Sequence, residues 1–194
     1  MDSLDAAAIA QVRAGDREAF RPIVERHSEM LFKLAYRITG NESDADEIVQ
    51  ETFMRAYRRL SSFDGRSSVK TWLFRIATNA SLDLLSRRRT QPQPAVLSQE
   101  QQDDGDRPEE RIISPRPDPE RIAFSAEVNA TIHAALETLS PIERAAFLLR
   151  HFEECSVAEI AEALNVRAGA ARHSIFRAVE KMRKALQPAM GSLS

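Results

Sequence analysis

The sequence predicts an all-α protein in which an extended acidic linker joins two small helical domains, the C-terminal one containing a helix-turn-helix. Helix-forming residues dominate, with only 6 glycines among 194 residues and few alternating apolar runs. Six of the nine prolines fall between Thr90 and Ser125, and the same segment contains eight acidic residues and four arginines. We therefore predict an N-terminal domain over residues 1–89, a flexible linker over 90–125 and a C-terminal domain over 126–194.

Composition excludes several classes of protein. With 43% hydrophobic and 29% charged residues, the chain is expected to be globular rather than disordered. A single cysteine, Cys155, excludes an internal disulfide and a cysteine-based structural zinc site. No apolar run approaches the roughly 20 residues needed to cross a bilayer. The acidic N-terminus also lacks the basic region of a signal peptide. We expect a cytoplasmic protein without a metal or cofactor.

Capping signals bound the first two helices of the N-terminal domain. Asp16 is predicted to cap a helix that ends at Gly40, and Ser43 to cap a second helix that runs to about Leu60. Core-facing residues recur at helical spacing in both. They are Phe20, Ile23, Val24, His27, Leu31, Leu34, Ala35 and Ile38 in the first helix and Ala45, Ile48, Val49, Phe53 and Tyr57 in the second.

A polar loop over residues 61–67 leads into a third helix, from about Ser68 to Arg88. Its inward-facing residues are predicted to be Val69, Trp72, Leu73, Ile76, Ala80 and Leu84. Trp72 lies on this apolar stripe, so core packing explains its position better than base stacking does.

Charges are segregated along the N-terminal domain, although the formal net charge of the chain is only −2. Residues 42–51 carry five acids and no base, whereas residues 66–89 carry six bases and one acid. Acids near a helix N-terminus offset the helix dipole, but five acids exceed what that requires. The segregation predicts one acidic and one basic binding face.

The C-terminal domain is predicted to begin with a helix over residues 127–139. Ser140 then supplies an N-cap, Pro141 suits the first helical position, and Glu143 completes a capping box. This second helix is expected to run to about Phe152.

The predicted helix-turn-helix follows. Ser156 and Glu159 form another capping box. Asn165 begins a three-residue break, and asparagine tolerates the left-handed conformation that such a turn needs. The last helix is predicted to run from about Ala168 to Leu186.

A strong local charge accompanies this motif. Residues 166–184 contain six Arg or Lys and one Glu, which gives a local charge of plus five. Such a stretch favours binding to phosphate. The alternative from these residues alone is the solvated face of a terminal helical hairpin.

Several motifs occur in a fixed order along the two domains. The N-terminal domain has Asp44-Ala45-Asp46-Glu47-Ile48-Val49-Gln50-Glu51-Thr52-Phe53, then Phe63-Asp64-Gly65, then Thr71-Trp72-Leu73-Phe74-Arg75-Ile76-Ala77. The C-terminal domain has Leu139-Ser140-Pro141, Phe147-Leu148-Leu149-Arg150 and Glu159-Ile160-Ala161-Glu162-Ala163-Leu164. Together they resemble the extracytoplasmic-function sigma factors of RNA polymerase, over about residues 18–89 and 128–186.

The resemblance implies a sigma factor, not an enzyme, that binds core RNA polymerase and directs promoter-specific transcription initiation. In such factors the acidic helix binds the clamp helices of the polymerase largest subunit. The implied core-polymerase contacts are Asp44, Asp46, Glu47, Gln50, Glu51 and Phe53.

The loop and the third helix would, by the same resemblance, capture an unstacked base of the non-template single strand at the −10 element. Flipping a base costs a few kcal/mol of lost stacking. The candidate residues are Phe63, Asp64, Lys70, Arg75, Asn79 and Arg87. Phe63 is either an aromatic probe for the base or an anchor for the loop.

The last helix would place its N-terminal half in the major groove of the duplex −35 element. The candidate residues are Arg167, Arg172, His173, Arg177, Lys181 and Lys184. The first half of this helix reads Gly169-Ala170-Ala171-Arg172-His173-Ser174, where many relatives have Gly-Thr-Val-Lys-Ser-Arg. The promoter sequence is therefore not predictable.

The resemblance also implies an anti-sigma factor that clamps the two domains, and a linker that threads the polymerase cleft or serves as a plain tether. The residues are also compatible with two other classes of protein. One is a helix-turn-helix activator or repressor that acts without being a polymerase subunit. The other is a helical enzyme that uses His27, His133, His151 or Cys155, although no carboxylate or third ligand accompanies the pair His151 and Cys155.

Overall fold

The computed structural model describes residues 3–90 and 130–191, and the regular elements in these ranges are all helical. The predicted linker from residue 91 onward and the first three residues of the helix predicted over 127–139 lie outside the described residues. The helices are α1 (Ser3–Arg13), α2 (Arg21–Thr39), α3 (Glu42–Arg59), α4 (Val69–Thr90), α5 (residues 130–137), α6 (Pro141–His151), α7 (Val157–Ala163) and α8 (Ala168–Gly191). The all-α prediction is confirmed.

Helices α2, α3 and α4 pack against one another to form the core of the N-terminal domain. Leu31, Ile38 and Leu73 are fully buried between them, and Trp72 is buried as predicted. Helix α1, which the sequence did not predict, is fastened to α2 by Asp5. The Asp5 carboxylate accepts from the Arg26 guanidinium and lies 3.0 Å from His27 Nε2.

The helix boundaries follow most of the predicted signals. Asp16 accepts from the backbone N–H of Glu18 and caps a 3-10 turn (Arg17–Phe20) that runs into α2, and Gly40 ends α2 with a left-handed φ of 73°. The prediction that Ser43 caps the next helix is wrong. Asn41 has the extended backbone of an N-cap and accepts from the Asp44 N–H at 3.0 Å, which leaves Ser43 inside the first turn.

Helices α6, α7 and α8 enclose the core of the C-terminal domain, with Leu148, Leu149 and Ile160 fully buried. Both predicted capping boxes are present, at Ser140 and at Ser156. Asn165 has a φ of 52°, which confirms the left-handed turn of the helix-turn-helix. Helix α8 continues past the predicted end at residue 186.

The two domains are in contact in this structure. Helix α4 packs on α7 and α6, and α2 packs on α6. None of the helices in the two described ranges is long and apolar enough to span a membrane.

Candidate nucleic-acid interface

A cavity of about 610 Å³ opens between the loop that joins α3 to α4 and the start of α7. Four arginines give its N-terminal side a basic wall: Arg55, Arg59, Arg66 and Arg75. Of the residues predicted for the −10 element, Phe63, Asp64, Arg75 and Asn79 line the cavity, and Lys70 and Arg87 lie outside it. Sequence reasoning therefore located this region but described only part of its wall.

The loop is held in place from several directions. The Asp64 carboxylate accepts from the Arg66 N–H at 3.1 Å, and Gly65 between them has a left-handed φ of 73°. Phe63 is buried, with its ring centroid 4.8 Å from that of Trp72. Of the two roles predicted for Phe63, this conformation shows the loop anchor. The ring is not exposed to a base because it fills a hydrophobic site beside Trp72.

Arg55, Arg59 and Arg66 are cavity residues that the sequence argument missed. The first two belong to the C-terminal half of α3, which has a basic end after its acidic first turns. The signal was available, because Arg55 and Arg59 are four residues apart and so share one face of a helix.

One face of α4 is occupied by the C-terminal domain. Lys70 Nζ lies 3.3 Å from Glu153 Oε2, the Thr71 hydroxyl donates to Glu159 Oε1 at 3.0 Å, and Arg75 forms an ion pair with Glu162. Asn79 donates to the carbonyl oxygen of Arg75 one turn away, at 2.8 Å. Arg87 is exposed near the far end of the helix.

The residues predicted to contact core polymerase fall into two groups. Asp46, Glu47 and Gln50 are exposed on one face of α3, and Glu51, half-buried, bonds Arg55 at 2.5 Å. Asp44 and Phe53 are buried and do not present their side chains to a partner in this structure.

The two buried members are occupied by internal contacts. Asp44 accepts from Arg88 of α4 at 2.6 Å. Phe53 makes an edge-to-face contact with Phe20, with the ring centroids 6.3 Å apart. Sequence reasoning also missed Met54, which is 47% exposed and follows Gln50 by one helical turn. Met54 lies off the apolar stripe of α3, and this position in the sequence indicates that its side chain is exposed.

The residues predicted for the −35 element are also divided. Arg167, Arg172, His173 and Lys184 are exposed. Phe176 lies on the same face of α8 as Arg172 and His173 and is 61% exposed, the second largest exposure among the large apolar residues described. Its phase is opposite to that of the buried Ala171 and Ala178, and this pattern could have revealed it in the sequence.

Arg177, which is also exposed, and the half-buried Lys181 form ion pairs with Glu143 at the start of α6. Glu143 accepts from Lys181 Nζ at 2.6 Å and lies 3.0 Å from Arg177 Nε. Burial acts to raise the pKa of Glu143, but hydrogen bonds from Lys181 and Ser140 outweigh it and hold this pKa at about 2. Glu143 thus joins the start of α6 to the middle of α8.

Comparisons with known proteins identify the family. The models of Sigma-70 region 2 and Sigma-70 region 4 match residues 23–91 and 130–182. The chain is 34% identical to ECF RNA polymerase sigma factor SigW of Bacillus subtilis, over 92% of this chain and 95% of that protein. It is 35% identical to RNA polymerase sigma-H factor of Pseudomonas aeruginosa, over 95% and 94%. The chain belongs to the extracytoplasmic-function sigma factors.

Solved structures of sigma factors have the same fold. CnrH, in complex with the cytosolic domain of CnrY, aligns with a TM-score of 0.64 at 27% identity, over 96% of this chain and 99% of CnrH. The sigma factor RpoE of Bartonella quintana, in complex with the anti-sigma factor NepR, aligns with a TM-score of 0.65 at 20% identity, over 88% and 98%.

Family membership decides between the classes of protein that the sequence left open. This sigma factor directs RNA polymerase to promoters and is a transcription initiation factor. A helix-turn-helix regulator that acts outside the polymerase is no longer needed to explain the C-terminal domain, because both domains match regions of one family.

Proposed function

We propose that this sigma factor binds the clamp helices of the polymerase largest subunit through the exposed face of α3. Asp46, Glu47, Gln50 and Met54 share this face. Met54 supplies an apolar centre and the others a polar rim, which is the usual anatomy of a protein interface. Glu51 lies at its edge, and Asp44 and Phe53 support the face from inside the domain.

The N-terminal wall of the cavity, formed by the loop after α3 and by α4, is the proposed site for a flipped base of the non-template strand at the −10 element. Asp64 and Asn79 offer hydrogen-bonding groups to a base edge, and the basic wall suits the phosphates on either side. Lys70 and Arg87 would extend the phosphate contacts along α4.

The −35 element is assigned to the exposed face of α8. Arg172 and His173 can reach base edges or phosphates, and the Phe176 ring suits apolar contact with a thymine methyl group. Arg167 and Lys184 are placed for phosphate contacts. Arg177 and Lys181 are fixed by Glu143, so we assign them the additional task of holding α8 in position.

One observation carries this proposal: α3 has different chemistry at its two ends. Its N-terminal half presents acids to solvent, and its C-terminal half contributes Arg55 and Arg59 to the cavity. A single rigid helix therefore offers one surface to polymerase and another to DNA.

The test is reversal of charge at Asp46 and Glu47. Replacing both by Lys is expected to weaken binding of core polymerase at least about tenfold, because like charges across an interface are strongly unfavourable. Glu25→Lys, an exposed position on α2, is the matched control. Fluorescence anisotropy of labelled protein gives the affinity, and circular dichroism verifies folding. An unchanged affinity in the folded double variant would refute the assignment.

Transcription tests the DNA assignments separately. Core polymerase reconstituted with this protein is expected to select promoters from a random DNA library. Replacing Asn79 by Ala should then reduce dependence on the −10 bases, and replacing Phe176 by Ala should reduce dependence on the −35 bases. If the base preferences at both elements are the same as for the unmodified protein, Asn79 and Phe176 do not recognise these bases.

An anti-sigma partner is part of the proposal. It is supported by the similarity to CnrH, whose solved structure includes the cytosolic domain of CnrY. A partner of this kind is expected to compete with core polymerase, which a titration of the preformed complex measures. The linker path and the cytoplasmic location stay predictions.

A further inference from the structure

We propose that the free sigma factor closes on itself, with acids of the C-terminal domain occupying the −10 surface of α4 as substitutes for DNA phosphates. We call these acids, Glu153, Glu159 and Glu162, the acidic edge. The inference rests on the proposed role of α4 at the −10 element. It goes beyond that role because it says what the same side chains bind when DNA is absent.

The acidic edge faces α4 through three polar contacts. Arg75 pairs with Glu162, Lys70 Nζ lies 3.3 Å from Glu153, and the Thr71 hydroxyl donates to Glu159 at 3.0 Å. Each donor meets a carboxylate oxygen, which is an anionic hydrogen-bond acceptor as a phosphate oxygen is. The contacts join residues 83 to 88 positions apart in the chain, so they are not a by-product of local structure.

In the cavity, too, residues of the C-terminal domain occupy the place proposed for DNA. Ala158, Glu159 and Glu162 form the side of the cavity that faces the arginines of the N-terminal domain. A DNA strand that passed along α4 to place a base against the loop after α3 would need the volume that α7 fills. Domain closure and single-strand binding are therefore mutually exclusive, and no separate inhibitory segment is required.

A second set of contacts fixes the closed arrangement away from the DNA surface. Arg144 of α6 donates to the carbonyl oxygen of Ile38 at 3.1 Å. The Arg37 guanidinium lies 4.3 Å from the ring centroid of Phe152. These contacts connect α2 to α6, so the acidic edge is positioned by residues that have no proposed part in reading DNA.

The contacts of the acidic edge are weak enough for domain closure to be reversible. The side chains of Arg75 and Glu162 are 38% and 55% exposed, and an exposed ion pair shifts an equilibrium by only about twofold to fivefold. Closure is therefore expected to weaken as salt rises. Polymerase, which must bind both domains at separate promoter elements, can open the protein at modest cost.

Förster resonance energy transfer between a donor and an acceptor dye on the free, full-length protein tests closure without DNA or polymerase. One dye is attached to each domain, at cysteines introduced by Glu25→Cys and Gln187→Cys, and Cys155→Ala removes the native thiol. Glu162→Arg and Arg75→Glu are each expected to lower transfer efficiency, and the double variant to restore it. Glu154→Arg, at an exposed neighbouring position, is the matched control and should change nothing. Equal efficiency in the unmodified protein and in Glu162→Arg, or no restoration in the double variant, would overturn closure.

A second measurement tests masking of the DNA surface. The probe is a labelled single-stranded DNA of mixed sequence. The triple variant Glu153→Gln, Glu159→Gln and Glu162→Gln is expected to bind it about tenfold more tightly than the unmodified protein does, because three carboxylates no longer compete. Glutamine at position 159 can still complete the capping box. Opening without a gain in DNA affinity would overturn masking. Promoter selection by the reconstituted polymerase tests the −10 assignment independently, so the two failures can be told apart.

Discussion

Arg13 donates a hydrogen bond to the carbonyl oxygen of Phe63, 50 positions further along the chain. The same guanidinium donates to the carbonyl oxygen of Leu60 at 2.9 Å. Both carbonyls belong to the turn that begins the cavity loop. Helix α1 therefore fixes the start of the loop that is proposed to receive a base, although α1 itself lies outside the matched sigma-70 region 2.

Replacing Arg13 by Ala is expected to loosen the cavity loop more than the rest of the domain. The loss of hydrogen bonds to two carbonyls should lower the free energy of unfolding by about 1 kcal/mol. Hydrogen exchange should accelerate most at the amides of residues 60–68. Arg13→Lys, which keeps the charge and one donor group, should show a smaller effect, and the exposed Arg17→Ala should show none. Uniform acceleration across the domain would contradict a local role.

Glu143 is expected to make stability depend on acid. The pKa of this carboxyl is about 2 in the folded protein, below its ordinary value of 4.5. Its contribution is therefore complete above about pH 4.5 and is lost as the pH falls towards 2. Glu143→Gln should lower the free energy of unfolding by about 1–3 kcal/mol at pH 7. Urea denaturation should also show a shallower fall of stability between these pH values.

The exposed Glu180→Gln is the control for that measurement. It should leave both the stability and its pH dependence nearly unchanged. Identical acid profiles in the unmodified protein and in Glu143→Gln would show that Glu143 is not the group responsible.

Two buried hydroxyls should be dispensable. The Oγ1 atoms of Thr52 and Thr78 are fully buried and have no hydrogen-bond partner among the described residues. Thr78→Val is expected to raise the free energy of unfolding by about 1 kcal/mol, because an unsatisfied polar group is removed at nearly constant shape. Ser81→Ala is the contrast, since that buried hydroxyl donates to the carbonyl oxygen of Ala77 at 2.8 Å. A larger gain from Ser81→Ala would reverse the argument.

Cys155 is expected to be chemically inert. Burial, reinforced by the charge of Glu159, raises the pKa of this thiol to about 11 from an ordinary value of 9.0. Since the thiolate is the reactive form, alkylation by iodoacetamide at pH 8 should be at least about a hundredfold slower in the native protein than in urea. Comparable rates in the two states would show that the thiol is accessible and could respond to oxidants.

The accuracy of sequence reasoning depended on the distance over which each interaction acts. The caps at Ser140 and Ser156 and the left-handed Asn165 were predicted because their partners lie within four residues. Asn41 and Ser43 are both residue types that can cap a helix, and the backbone angles that place Asn41 at the N-cap cannot be read from composition.

Interactions between distant segments were not predictable in the same way. Periodicity separated buried from exposed positions, and so found Trp72 in the core. It could not show that Arg75 meets Glu162, because the pattern within α4 contains no information about α7. The same limit applies to Asp44, which is predicted to contact polymerase, because the pattern within α3 does not show that its position in the first turn places it against Arg88.

The Asp44 and Arg88 pair has a mechanical consequence. Helices α3 and α4 run antiparallel, fastened by this pair at one end and by the Leu60–Ser62 turn at the other. Because α3 and α4 also pack against each other between these two points, they are expected to tilt together as one unit. A tilt imposed on α3 by a bound protein would displace the basic end of α4 by a comparable amount. The orientation in which a protein binds α3 would then determine the orientation of the arginines at the end of α4.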